Sequence, residues 1–144
     1  TLDETKGERF ELVRRSLGSS VQRELRSVYE LDPTDLGEFD FVFCGDLLCH
    51  LKDPATAAER LRAVCRGTAV IATVTVKVRF AERIPLARFD GIDQFEWWAF
   101  NQAGLVRLAQ AAGFRDVESG RPFALPATAG GAWKGQRGVV RGHA

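Results

Sequence analysis

The sequence has no methionine, only three cysteines and two histidines, and no apolar run long enough to cross a bilayer. The cysteines, Cys44, Cys49 and Cys65, are odd in number and widely spaced, which excludes a CxxC or zinc-finger pattern. No signal peptide opens the chain. We therefore interpret the thiols as reduced, and we expect a cytoplasmic protein with no membrane or metal partner.

A strong charge of either sign is also absent. The 144 residues carry 20 basic and 19 acidic side chains, and this net charge of +1 gives no overall attraction to nucleic acid. A hydrophobic content of 45% is enough for the core of one domain and no more. Because the sequence begins at Thr1 and contains no methionine, we expect it to be a piece of a longer protein.

The stretch from Glu38 to Lys52, EFDFVFCGDLLCHLK, organises the rest of the sequence. Residues Phe39 to Cys44 form an apolar run with one polar interruption, which predicts a strand buried on both faces. A polar loop follows, and Asp53 and Pro54 then begin a helix with an N-cap and a first-turn proline. Since ligands of open α/β sheets bind where such strands end, we expect any chemistry to lie between Cys44 and His50.

The remaining pattern alternates helices and strands. Before the strand just described, the pattern predicts a helix from Lys6 to Leu17, a half-buried or edge strand from Val21 to Tyr29, and a loop from Leu31 to Gly37. After it, we predict a helix from Asp53 that Gly67 ends, and a strand from Thr68 to Phe80 whose outer part is solvent-exposed on one face. A long loop from Ala81 to Glu96, a helix from the N-cap Asn101 to Gly113, and strands from Phe114 to Ser119 and from Gly135 to Gly142 complete the chain. This order predicts an α/β fold, with a mostly parallel sheet and helices on both faces. The last two strands have no helix between them and should pair antiparallel at one end of the sheet.

Three stretches carry a resemblance to a known family. FDFVFCGDLLCHLKDPATAAERLRAVCRGTAVI, from Phe39 to Ile71, resembles the fourth strand, the following helix and the fifth strand of class I S-adenosylmethionine-dependent methyltransferases. SVYELDP, from Ser27 to Pro33, resembles their third strand and the loop after it, and WWAFNQAGLVRLAQAAGF, from Trp97 to Phe114, resembles their Trp-Trp-x-Pro-Asn element and the next helix. Within the family the chain is most similar to the branch that includes tRNA wobble-uridine-modifying enzymes.

The chain departs from this family at its start. The first strand and the Gly-rich turn after it have no counterpart, and the glycines between Gly130 and Gly138 lie outside any strand-to-helix context. The resemblance therefore implies a Rossmann-like methyltransferase sheet that is incomplete at the N-terminus. Residues 1–144 would be the C-terminal portion of a single class I methyltransferase domain.

The resemblance also implies an S-adenosylmethionine site. The residues that it places against the cofactor are Asp3, Tyr29, Glu30, Cys44, Gly45 and Asp46. Asp3 would accept hydrogen bonds from the ribose hydroxyls, Tyr29 and Glu30 would lie along the adenine, and Cys44 to Asp46 would lie beside the methionine part, with Asp46 binding an ammonium or orienting the acceptor. The plainer alternatives are a solvated terminal acid, a packing tyrosine in a surface loop, and a cap on the next short helix.

His50 and Asp46 are the candidate catalytic residues, and Trp97 and Trp98 are the candidate acceptor-binding residues. Methyl transfer is an in-line displacement, so a base such as His50 is needed only if the acceptor keeps its proton; otherwise a lone histidine in an apolar segment packs. Cys49 stands where the uridine-modifying relatives have tyrosine, which favours ordinary S-adenosylmethionine over a carboxylated cofactor. The tryptophans could stack on a planar acceptor or cover the end of the sheet.

The sequence thus predicts methyl transfer from S-adenosylmethionine to a small-molecule or RNA acceptor that it does not identify. One alternative is a nonenzymatic fragment or degenerate subunit of methyltransferase fold, and another is a tRNA wobble-uridine-modifying enzyme. A nucleotide-binding dehydrogenase is disfavoured, because the antiparallel final strands and the tryptophan pair fit methyltransferases better. A strand and GxGxG-like turn encoded upstream of Thr1 would separate an enzyme from a degenerate subunit.

Overall fold

A computed structural model of the protein describes residues 5–91, 95–124 and 135–144. The helices are α1 (Thr5–Ser16), α2 (Pro33–Leu36), α3 (Pro54–Ala63) and α4 (Gln102–Ala111), with 3₁₀ turns at Val28–Glu30 and Leu48–His50. The strands are β1 (Phe39–Gly45), β2 (Cys65–Thr75), β3 (Ala87–Phe89), β4 (Trp98–Phe100), β5 (Arg115–Ser119), β6 (Phe123–Ala124) and β7 (Gln136–His143).

All seven strands belong to one mixed sheet. β1 and β2 run parallel, with Cys44 opposite Ile71, and β4 adds a short parallel pairing of Phe100 with Thr75. β7 runs antiparallel along β2 and pairs in turn with β5 and β6, while β3 pairs antiparallel with β4. The predicted α/β class is confirmed, as are its parallel centre and its antiparallel final strands.

The core lies between the sheet and the helices α3 and α4, which pack on the same face. Leu61 of α3 and Leu105 of α4 meet Cys44, Ile71 and Val140 of the sheet in one buried cluster. The expectation of helices on both faces is therefore wrong for the part of the chain that the structure describes. Alternation of strands and helices predicts the layers, but it does not say which face each helix covers.

The opposite face of β1 is exposed. Phe41 and Phe43 are 59% and 64% exposed, and within the described residues β1 pairs with β2 alone. The prediction that this strand is buried on both faces is therefore wrong, because it assumed a helix above that face. The helix α1 does not supply the cover, since its apolar Leu12 and Val13 are themselves 61% and 56% exposed.

The predicted strand from Val21 to Tyr29 is also wrong. Residues 21–27 have no regular structure, and a 3₁₀ turn follows at Val28–Glu30. A strand needs a neighbour for its hydrogen bonds, whereas Ser27 forms a capping box that starts the turn locally. The predicted loop from Leu31 to Gly37 contains α2, because the Asp32 carboxylate accepts a 2.8 Å hydrogen bond from the Thr34 N–H and caps that helix.

Gly67 lies inside β2 and does not end α3, contrary to prediction. A Cβ atom at this position would lie 2.2 Å from the carbonyl oxygen of Asp40 in β1. The register of the two strands shifts nearby, between Phe39 and Phe41. Glycine is therefore needed because a bulge brings the two backbones unusually close together.

The long predicted strand is shorter than expected. β2 ends at Thr75 instead of Phe80, where its pairing with both β4 and β7 stops. Phe80 itself has a φ of +68° and is 97% exposed. The long loop from Ala81 to Glu96 contains the short strand β3, and its residues 92–94 lie outside the described part.

Candidate active site

The end of β1 forms the turn that the sequence singles out. The Asp46 N–H donates a 2.8 Å hydrogen bond to the Ala72 carbonyl, which extends the β1–β2 pairing by one residue. Asp46 has a φ of +47°, in the left-handed region that non-glycine residues rarely adopt. The 3₁₀ turn Leu48–His50 follows, so Cys44, Gly45 and Asp46 lie at the carboxyl edge of the parallel strands, where α/β folds bind ligands.

The Asp46 carboxylate forms an ion pair with Arg137. The Arg137 Nε lies 3.2 and 3.0 Å from Asp46 Oδ1 and Oδ2, and the second guanidinium nitrogen lies 3.0 Å from Oδ2. The capping alternative for Asp46 is contradicted, because Leu47 is the N-cap residue of the following turn and no side chain caps it.

Arg137 was not among the residues predicted from sequence. Its side chain is only 5% exposed, and its other terminal nitrogen donates a 2.8 Å hydrogen bond to the Gly135 carbonyl. One signal could have found it: a strand antiparallel to β2 must begin at the carboxyl edge, and Arg137 stands at the beginning of β7, opposite Val74.

The two cysteines of this segment are buried thiols. Cys44 is 4% exposed and Cys49 is fully buried. Burial raises the pKa of the Cys44 thiol from its ordinary 9.0 to about 11, and burial likewise raises the pKa of Cys49. Both thiols are protonated at neutral pH, so neither is an activated nucleophile.

His50 contacts Phe95, near the end of the long loop. Its Nδ1 hydrogen-bonds to the Phe95 carbonyl oxygen, and its ring meets the Phe95 ring edge-on at 4.7 Å between centroids. Since a carbonyl oxygen only accepts, Nδ1 donates this hydrogen bond, and Nε2 is the ring nitrogen left to accept a proton. The geometry therefore suits an oriented base as well as a packing role.

Trp97 and Trp98 lie next to the same segment. The Trp97 N–H donates a 2.7 Å hydrogen bond to the Cys49 carbonyl, and the Trp98 indole N–H donates a 3.1 Å hydrogen bond to the Lys52 carbonyl. The Lys52 ammonium lies 4.9 Å from the centroid of the Trp97 ring. Both tryptophans are half-buried, but only Trp98 packs against the core cluster.

Asn101 fixes the other end of the long loop. Its side-chain oxygen accepts hydrogen bonds from the N–H groups of Leu86, at 3.0 Å, and Gly104, at 2.7 Å. Its side-chain nitrogen donates to the carbonyls of Ala81, at 3.1 Å, and Ile84, at 2.8 Å. The predicted N-cap of α4 is confirmed, and the same side chain ties residues 81–86 to the helix.

Tyr29 and Glu30 have structural partners at the start of α3 and within their own turn. The Tyr29 hydroxyl accepts a 3.3 Å hydrogen bond from the Asp53 N–H, and the Glu30 carboxylate accepts one of 3.3 Å from the Ser27 N–H. Asp3 lies outside the described residues.

A groove of about 580 Å³ lies between the segment from Glu24 to Leu36 and the segment that follows Asp46, and Phe39 is its one lining residue from β1. Its lining is mainly apolar and includes Val28, Leu31, Leu47 and Leu51. The volume lies within the usual range for small-molecule and cofactor sites.

Two further classes of site were searched for in the described residues. No group of three or more histidine, cysteine, aspartate or glutamate side chains there could hold a metal ion. None of the helices in the ranges 5–91, 95–124 and 135–144 combines the length and apolarity needed to cross a membrane.

Comparison with known proteins gives one family and a set of similar folds. A family model described as a methyltransferase domain matches residues 6–119. No curated protein matches at a significant level.

Several solved structures resemble the fold. The N-terminal domain of EvdMO1 with SAH bound is 21% identical over 99% of this chain and 62% of its own, with a TM-score of 0.67. The Burkholderia thailandensis 1,6-didemethyltoxoflavin-N1-methyltransferase, with 1,6-didemethyltoxoflavin and S-adenosylhomocysteine bound, is 19% identical over 93% of this chain and 55% of its own, with a TM-score of 0.64. A Thermotoga maritima S-adenosylmethionine-dependent methyltransferase is 18% identical over 94% and 69%, with a TM-score of 0.57. This chain thus spans about three fifths of the length of the first of these structures, and the predicted Rossmann-like methyltransferase fold is confirmed.

Proposed function

The chain belongs to the methyltransferase domain family, and from this membership we propose that the protein transfers a methyl group from S-adenosylmethionine to a small-molecule acceptor. The observation that carries the proposal is the convergence of two parts of the chain at one edge of the sheet. The turn after β1 provides Asp46 and His50, and the end of the long loop provides Trp97, which is hydrogen-bonded to that turn. Methyl transfer requires this kind of placement of two reactants side by side.

We assign the adenosine part of the cofactor to the groove between the segment from Glu24 to Leu36 and the segment that follows Asp46. Its apolar lining by Val28, Leu31 and Leu47 suits the flat faces of an adenine, and the adjoining Tyr29 and Glu30 would lie along the base. Cys44, Gly45 and Asp46 would adjoin the methionine part, and Asp3 would hold the ribose. S-adenosylmethionine supplies the electrophilic methyl group, and the residues of this chain would bind the cofactor and the acceptor and orient them.

The acceptor would lie between the turn after β1 and the tryptophans. A half-buried indole offers a flat apolar wall, which suits a planar molecule. The Burkholderia thailandensis methyltransferase, whose fold this chain resembles, has 1,6-didemethyltoxoflavin bound. If the acceptor keeps a proton, His50 could remove it through Nε2, since Nδ1 donates to the Phe95 carbonyl.

A more specific alternative is that the protein is a tRNA wobble-uridine-modifying enzyme. The net charge of +1 gives little general attraction to RNA, and Cys49 replaces the tyrosine of those enzymes. We therefore favour a small acceptor. The nonenzymatic alternative predicts a folded protein that does not bind S-adenosylmethionine.

The test uses the complete natural protein. Calorimetry should detect S-adenosylmethionine binding, and release of S-adenosylhomocysteine should then be measured with heteroaromatic, sugar and unmodified tRNA acceptors. Turnover with a heteroaromatic compound supports the proposal, and turnover with tRNA alone assigns the uridine branch. A folded protein that binds no S-adenosylmethionine would overturn the proposal in favour of a degenerate subunit.

A further inference from the structure

We propose that Arg137 is a positioning residue, which holds the Asp46 carboxylate so that its outer side accepts hydrogen bonds from the ammonium group of the cofactor's amino-acid part. This inference rests on the function proposed above and adds a residue to it. Arg137 belongs to β7, 91 residues further along the chain, and the sequence motifs of the site do not include it.

The geometry of the pair fixes the carboxylate plane. Nitrogen atoms of Arg137 contact both oxygens of Asp46, at 3.0 to 3.2 Å. A planar guanidinium that engages both oxygens restrains the direction and the rotation of a carboxylate, which the single point charge of a lysine does not do. Each Asp46 oxygen still has acceptor capacity on the side away from Arg137.

The burial of the pair is uneven. The Arg137 side chain is 5% exposed, whereas that of Asp46 is 34% exposed. The cation therefore lies inside the protein, and the carboxylate lies between it and the carboxyl edge of the sheet. A purely structural pair could be buried on both sides, but this one leaves the acceptor atoms open where a ligand is expected.

The backbone at Asp46 gives a second, independent observation. Its φ of +47° lies in the left-handed region, which glycine adopts freely and which costs aspartate less than it costs most residues with a side chain. The turn alone would be easier to form without a carboxylate. Strain of this kind persists where the surrounding structure holds it, and here Arg137 and the Ala72 carbonyl hold the side chain and the backbone of Asp46.

The charge of Arg137 also decides which ligand group Asp46 can select. The guanidinium neutralises the carboxylate at short range, so a distant cation is attracted only weakly. Recognition must then come from directed hydrogen bonds at contact distance. An ammonium group offers three donors and needs acceptors, which the open side of Asp46 provides.

The experiment compares two ligands in the complete natural protein. S-adenosylhomocysteine contains the amino-acid part, whereas 5′-methylthioadenosine lacks it but keeps the nucleoside. Dissociation constants for both are measured by calorimetry with the wild type, Arg137→Lys, Arg137→Met and Asp46→Asn. The matched control is Arg141→Met. Arg141 lies on the same strand as Arg137, and its substitution removes only an exposed ion pair with Glu118 of β5.

We expect Arg137→Met and Asp46→Asn to weaken S-adenosylhomocysteine binding by about ten- to thirty-fold, in line with loss of a hydrogen bond to a charged group. Binding of 5′-methylthioadenosine should stay within twofold, Arg137→Lys should fall in between, and Arg141→Met should match the wild type. Equal losses for both ligands would mean a structural role and would overturn the inference, as would unchanged binding. If Arg137→Met does not fold, Arg137→Lys decides by the same ratio. Failure of the wild type to bind S-adenosylhomocysteine would instead overturn the proposed function.

Discussion

The backbone N–H of Trp97 donates a 2.7 Å hydrogen bond to the carbonyl of Cys49. This bond joins the end of the long loop to the turn after β1, and it does not involve the indole. Replacing the Trp97 side chain therefore keeps this hydrogen bond, although it removes the ring contacts with Phe89 and with the Lys52 ammonium. The flat wall that the indole offers the acceptor can be tested by measuring acceptor binding and stability side by side.

The first prediction concerns this wall. In the complete natural protein we expect Trp97→Ala to raise the KM for the acceptor about tenfold and to leave S-adenosylmethionine affinity nearly unchanged, because a stacked base is worth about 1–3 kcal/mol. Trp98→Ala should also raise the KM, but it should lower the melting temperature as well, since Trp98 packs against the core. Unchanged acceptor kinetics in both variants, with a large loss of stability, would assign the pair to the core.

The second prediction compares two aspartates of the same segment. Asp46→Ala should damage cofactor binding or turnover more than Asp53→Ala. The Asp53 side chain accepts a 3.0 Å hydrogen bond from the Thr56 N–H, so its role is to cap α3. The Asp53 variant should lose stability alone. Steady-state kinetics and thermal melting measure the two effects, and full activity in both variants would show that the site is misplaced.

The third prediction concerns residues 1–144 expressed alone. Since β1 pairs on one edge only within the described chain, this piece should self-associate and bind S-adenosylmethionine weakly or not at all. Light scattering measures the mass, and Phe41→Lys should reduce association, because that side chain is 59% exposed beside the open edge. Leu12→Lys, on α1, is the matched control. Micromolar cofactor binding by a monomer would contradict the prediction.

The fourth prediction concerns the anchor of the loop. Asn101 is 3% exposed, so Asn101→Ala should lower the free energy of unfolding by about 3 kcal/mol through the loss of a cap and of bonds to buried backbone groups. It should also speed proteolysis between residues 81 and 91. Asn101→Asp keeps the two hydrogen bonds that the side-chain oxygen accepts but loses the two that the side-chain nitrogen donates to the loop. This variant should therefore destabilise α4 less than it increases cleavage of the loop. Gln110→Ala, on the exposed side of α4, should change neither urea unfolding nor cleavage.

The fifth prediction concerns alkaline pH. The folded pKa of Cys44, about 11, is higher than its ordinary 9.0, so above pH 9 the unfolded state binds fewer protons than the folded one. Stability should therefore fall by about 2–3 kcal/mol between pH 9 and pH 11, at 1.36 kcal/mol for each pKa unit. Urea unfolding at several pH values measures this slope. Cys44→Ala should have a lower stability throughout but a shallower slope, and an equal slope would exclude Cys44 as the cause.

The elements that could be predicted from the sequence are those with local causes. The caps at Asp53 and Asn101 each satisfy the first turn of their own helix, so the type of a single residue reveals them. The antiparallel pairing of β5 and β7 could be predicted because the sequence pattern indicates no helix between the two strands. Cys44 to Asp46 were placed at the sheet edge because a parallel strand must end there.

The errors arose where structure depends on distant partners. The phenylalanines of β1 are apolar enough for a buried strand, but their burial depends on elements that the strand itself does not specify. The segment from Val21 to Tyr29 alternates loosely, as a strand does, but no strand among the described residues pairs with it. Arg137 could be matched to Asp46 only after the strand order was known, because 91 residues separate them.

The placement of β7 has a consequence for the order in which the sheet assembles. β7 lies between β2 and β5, although Thr68 and His143, which hydrogen-bond across the first pairing, are 75 residues apart. Contacts over such long stretches pay their loop-closure entropy before they gain stability, so β1, α3 and β2 can form early while β5 still has no partner. We therefore expect the docking of residues 136–143 to be a late step, and it brings Arg137 against Asp46. In that order of assembly, the ion pair of the site forms only after β7 has joined the sheet.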